Sequence, residues 1–89
     1  MRAIVTVIGQ DRVGIIAAVA TALAGQQVNI LDISQTVLAE YFTMIMLVDL
    51  NLTSTPFATL RQLLDAEGER LGVSIRIQQE DIFKSMHHI

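Results

Sequence analysis

Between a run of valines and isoleucines and a helix-like stretch lies Gly9-Gln10-Asp11-Arg12-Val13-Gly14-Ile15-Ile16, a polar turn carrying two glycines. Such a turn can aim successive backbone N–H groups at one small volume, and the helix that follows adds its positive end. The chemistry on offer is retention of a small anion rather than bond making. Gly14 has no side chain, so a small molecule can approach its backbone. The same residues also suit a plain strand-to-helix connection, in which glycine supplies the turn geometry and Asp11 lies in or near the helix cap. Taken by themselves, the residues weigh these two readings equally. The glycines stand five apart and no third follows, which excludes a dinucleotide fingerprint.

Other groups carry less. Asn29 and Asp32 flank an irregularity in the second extended run, where a short polar side chain more often bonds its own backbone than a ligand. His87 and His88 are adjacent, whereas a helical metal pair needs a spacing of four and a zinc site three or four ligands, so a solvated tail is the favoured reading. The chain has no cysteine, one lysine (Lys84) and one tyrosine (Tyr41), and no serine stands with a histidine and an acid in the order of a triad. The expectation is a protein with no catalytic residue, no metal and no cofactor.

The net charge is −3, and six scattered Lys and Arg residues form no basic stripe, so nucleic acid is not an expected partner. The first residues have neither the apolar run of a signal peptide nor the length of a membrane span. Together with the missing cysteines, this gives a cytoplasmic expectation with no membrane contact. Hydrophobic residues make up 52% of the chain and charged residues 17%, against the roughly 25% charged that is usual. Some apolar surface is therefore expected to be covered by another copy.

The elements that must position the turn are legible from periodicity. Residues 2–8 are apolar on both alternations, as in a central strand covered on both faces. Val13 to Gly25 carries a helical stripe, with Gly25 as a left-handed stop. From Val28 to about Ala39 the alternation slips phase once, which marks a bulge. Phe42 to Leu50 alternates as a third strand, joined to the second by a turn at Glu40. Ser54 or Thr55 is the candidate cap of a second helix, with Pro56 in its first turn. Its apolar face is Phe57, Leu60, Leu63, Leu64 and Leu71, and Gly72 ends it. Val73, Ile75 and Ile77 form a fourth strand, and residues 81–89 are a tail without a pattern.

This order, βαββαβ, predicts one α+β domain over residues 1–89 with its core at about 2–80. The expected architecture is a ferredoxin-like, four-stranded antiparallel sheet with two helices on one face. The opposite face, or a sheet edge, is then expected to be buried in an oligomer.

Asp11-Arg12-Val13-Gly14-Ile15-Ile16 after a hydrophobic strand, with Val28-Asn29-Ile30 about fifteen residues later, resembles the ACT domain pattern D-R-x-G-[IL]-[IL] followed by x-N-I. The resemblance covers residues 2–80 and is nearest to short stand-alone ACT proteins and to the ACT halves of a glycine-cleavage regulator. It implies a regulatory module that binds a small effector, usually an amino acid, at a homodimer or higher oligomer interface and signals to a protein target. The alternative is an interaction module of the same fold with no small ligand, whose apolar sheet face recruits a protein partner. Carried over by position, the site is Gly9, Asp11, Arg12, Val13, Gly14 and Ile15 of one copy, with Asn29 and Ile30 of another. Val13 stands where many members have proline, and Gly9 where some amino-acid-binding members have a polar side chain. Within the βαββαβ order the first two strands run parallel, which separates the turn from Asn29 in one subunit. Antiparallel pairing of two copies along the second strand would reunite them.

Overall fold

The computed structural model describes residues 1–10 and 13–81. Its elements are β1 (Arg2–Gln10), α1 (Ile15–Gly25), β2 (Asn29–Leu38), β3 (Tyr41–Asp49), α2 (Phe57–Leu71) and β4 (Val73–Gln79). They form one sheet in the order β2-β3-β1-β4, with every neighbouring pair antiparallel. This is the ferredoxin-like arrangement expected from the element order.

The core follows from strand alternation. Ala3, Val5 and Val7 of β1, Phe42, Met44, Met46 and Val48 of β3, and Ile75 and Ile77 of β4 are buried on one face. Onto them pack Ile15, Val19 and Leu23 of α1 and Leu60 and Leu64 of α2 in a single cluster. Burying each such aliphatic side chain contributes about 1.5–3 kcal/mol. No polar or charged residue is buried among the described residues.

The phase slip in the second run is a bulge between Ile30 and Asp32. Ile30 pairs with Val48 and Asp32 with Leu47, which leaves Leu31 as the extra residue. The helices do not cover this edge. Ile33 and Val37 lie on the helix side of the sheet, opposite Met46 and Phe42, yet both stay exposed.

Several local expectations are corrected. The first strand does not stop at Ile8: Gly9 pairs with both Phe42 and Val73, because backbone pairing continues where the apolar side chains end. α1 starts at Ile15 rather than Val13, with Gly14 as its cap residue at φ 92 and no side chain capping it. Gly25 is not the left-handed stop. It is the last helical residue, and the positive φ falls on Gln27 (φ 60). The N–H groups of Gln26 and Val28 both donate to the Leu23 carbonyl at 3.0 Å, which closes the helix there.

Neither Ser54 nor Thr55 caps α2, whose cap residue is Pro56 without a side-chain bond. The hydroxyls at this end are engaged elsewhere. Thr53 Oγ1 accepts the Thr55 N–H at 3.1 Å, and the Thr55 hydroxyl donates to Gln26 Oε1 at 2.7 Å, tying the two helix ends together. Leu63 is exposed rather than core-facing, and Gly68 fills the third buried position of α2. Gly72 does end the helix, at φ 74. Of the expected tail, residues 82–89 lie outside the described residues.

Gly9 and Gly68 share one neighbour. A Cβ on Gly9 would stand 2.6 Å from Val73 Cγ1, and one on Gly68 would stand 2.7 Å from the Val73 carbonyl oxygen. Both glycines therefore make room for the start of β4, while a Cβ on Gly25 would meet nothing within 4 Å. Gly68→Ala should lower stability by about 1–3 kcal/mol through overpacking, outweighing its gain in helix propensity. Gly25→Ala should raise stability by about 0.5–1 kcal/mol. Urea unfolding of the two variants measures both signs.

Candidate functional site

The β1–α1 turn is built around Gly14. Its φ of 92 is one that a Cβ disfavours, and this reversal sets the direction of the helix, whose first bond runs from the Ala18 N–H to the Gly14 carbonyl at 2.9 Å. The first turn of α1 holds no acidic residue and no side-chain cap. Its leading N–H groups, which have no partner within the helix, thus meet no described carboxylate and are suited to receive an anion. A Cβ on Gly14 would meet nothing within 4 Å, so the space beside it is open. Val13 is wholly exposed at the tip.

The other residues at this end play different parts. The Ile15 side chain belongs to the core, which leaves only its backbone for a ligand. Gly9 is spent on the approach of Val73, so a packing role accounts for it. Asp11 and Arg12 lie outside the described residues.

Asn29 is exposed and Ile30 half-buried against the core, at the opposite end of the sheet. The register fixes the separation. Gly9 pairs with Phe42, and Phe42 with Val37, whereas Arg2 pairs with Asp49, and Asp49 with Asn29. Phe42 and Asp49 stand seven positions apart along β3, or about 23 Å. One subunit cannot bring the turn and Asn29 to the same small ligand.

Beside Asn29 there is a surface cavity of about 350 Å³ lined by Ala24, Gln27, Val28, Asn29 and Leu52. Gln27 and Leu52 were not singled out by sequence reasoning. Leu52 gave a signal, being a lone apolar residue in the polar stretch Asn51-Leu52-Thr53-Ser54, and it is 78% exposed. Asp32 uses its carboxylate locally, accepting the Ile33 N–H at 2.9 Å.

Among the described residues no three His, Cys, Asp or Glu residues gather as a metal site, and no helix is long and apolar enough to cross a membrane. The pair His87 and His88 lies outside the described residues.

A four-stranded antiparallel sheet with two helices on one face and the element order βαββαβ defines a small ferredoxin-like domain. The sequence profile of the ACT domain matches residues 2–78, and the chain belongs to the ACT domain family, whose members are commonly regulatory and ligand-binding. It is 56% identical to a UPF0237 protein of Clostridium acetobutylicum over 89 residues, covering all of both chains. Among solved structures it is similar to an ACT domain protein from Streptococcus pneumoniae, at 46% identity and TM-score 0.83 with 94% of each chain covered. The fold also matches a protein described as a glycine cleavage system transcriptional repressor. That match has 22% identity and TM-score 0.73, over 86% of this chain and 44% of that one.

Gly14→Ala should cost about 1–2 kcal/mol of stability although its methyl meets open space, because the penalty lies in the backbone dihedral. Gly14→Asn should cost less, since asparagine tolerates positive φ. Chemical denaturation of both variants checks the order.

Proposed function

We propose that this protein is a regulatory module that binds an amino acid or a similar carboxylate at a homodimer interface and passes its occupied state to another protein. The observation that carries the reading is the uncapped start of α1 beside Gly14, an open anion-receiving end in a chain of the ACT domain family. The ligand's carboxylate would sit on the N–H groups of residues 13–15. Its other end would meet Asn29, Ile30 and the cavity beside them on a second subunit. Two copies paired antiparallel along β2 supply that arrangement, since β2 is an edge strand and pairing about a two-fold axis sets the Asn29 end of one copy beside the turn end of the other. Asp11 and Arg12, within the same motif, would complete the turn's contribution. The role is sensing: the module holds a ligand and transforms nothing, in the cytoplasm, with a protein as its target.

Titration calorimetry of the purified protein against the twenty amino acids should give heat with at least one, with a matching rise in thermal midpoint. Silence across the whole set, with no shift of the midpoint, would sink the ligand reading. Gly14→Val should remove the heat while the circular dichroism spectrum stays native.

The absence of cysteine allows a separate test of the assembly. Val13→Cys and Asn29→Cys, both at exposed positions, should form a disulfide-linked dimer when mixed and oxidised. Within one chain the two positions lie at opposite ends of the sheet, so a cross-link reports on two subunits. Absence of that cross-link would remove the shared site.

A further inference from the structure

The face of the sheet opposite the helices has a pattern that the ligand turn does not explain. Its rungs read across the four strands from β2 to β4. At one end Asn29, Asp49 and Arg2 share a rung, and Arg2 bonds Glu80 beyond it at 2.8 Å. Next come Asp32, Leu47, Ile4 and Gln78, then Ser34, Ile45, Thr6 and Arg76, then Thr36, Thr43, Ile8 and Ser74. The two central strands thus present an apolar stripe, with Ile8 51% and Ile45 41% exposed and Ile4 and Leu47 half-buried. The flanking strands present polar rims with Asp32 on one side and Arg76 on the other. Among the described residues no ion pair engages either one.

We propose that this face is an interface with a second copy of the same chain, stacked sheet on sheet about a two-fold axis parallel to the strands, so that β2 of each copy lies over β4 of the other. The charges select this axis. A rotation about the strand direction places β3 over the partner's β1. Leu47 then meets the partner's Ile4, and Asp49 faces the partner's Arg2. Asp32 lies over the partner's Gln78, within a rung of the partner's Arg76. Each of these contacts occurs twice. A two-fold axis perpendicular to the strands, centred on the rung of Ile45, would instead set Arg76 against the partner's Arg76 and leave Asp32 facing Thr36.

Aligned sheets packed about 10 Å apart are an ordinary solution for such faces. Four strands about 4.8 Å apart and about 30 Å long offer roughly 570 Å² per copy, so the pair clears the ~1,000 Å² expected of a specific interface. The surface is separate from the β2 edge, so the two contacts together would build a tetramer and this one alone a dimer.

Sedimentation equilibrium tests the interface. Ile45→Arg, or Ile8→Arg as a second variant, should halve the wild-type mass while circular dichroism and thermal melting show a folded chain. The cross-link between Val13→Cys and Asn29→Cys, which reports only on β2 pairing, should be left as it was. Asp32→Arg and Arg76→Asp should each weaken association roughly five- to tenfold, and the double variant should recover it, because the exchanged charges again face opposite signs. A monomeric wild type, a mass indifferent to arginine at position 45 or 8, or a double variant no tighter than the singles would overturn the proposal. Stoichiometric binding of a different protein to this face, lost with Ile45→Arg while the self-associated mass is unchanged, would overturn it as well.

Discussion

Two helices are too few to cover four strands on both sides, and that shortage governs this molecule. α1 and α2 bury one face of β1, β3 and β4 beneath a continuous aliphatic layer. They leave the far face bare and the helix side of β2 uncovered, where Ile33 and Val37 have no layer above them. A protein with 52% hydrophobic residues cannot hide its apolar surface within so small a sandwich. Its surfaces of interest are therefore the places where packing ran out.

The same economy explains where the glycines fall. Gly9 and Gly68 let β4 begin close against β1 and α2, with Val73 lodged between them. Gly14 does something else, reversing the chain so that α1 starts with its amides facing outward. Two glycines five residues apart, which look alike in the turn sequence, are thus divided between close packing and a left-handed chain reversal. Because β1 and β2 are parallel, the turn at Gly14 and Asn29 stand at opposite ends of the sheet.

Most of the fold was legible in the chain. Period-two alternation located all four strands, and a single change of phase placed the bulge at Leu31 within one residue. What misled were signals that depend on partners outside the local stretch. Ser54 and Thr55 have the chemistry of caps, but the Thr55 hydroxyl is drawn to Gln26, 29 positions away, and Pro56 takes the cap position. Gly25 has the form of a helix stop, yet the left-handed residue is Gln27. Leu63 fits the helical stripe by spacing but is left exposed, while Gly68 is buried with Val73 close against it. Of the candidate site, the turn at Gly14 and the exposed Asn29 were visible. Of the cavity walls, Gln27 belongs to no periodic element and gives no signal, and Leu52 shows only as a lone apolar residue in a polar stretch.

The strand β2 carries a cost of its own. Asn29-Ile30-Leu31-Asp32-Ile33-Ser34-Gln35-Thr36-Val37-Leu38 contains no proline and no lysine, and only one of its ten residues is charged. Edge strands of solitary proteins are usually blunted by such residues, because an open ladder will accept any extended chain. The β2 edge of this protein therefore has the composition of a strand open to further pairing. The bulge at Leu31 interrupts that ladder near one end, with the charge of Asp32 beside it.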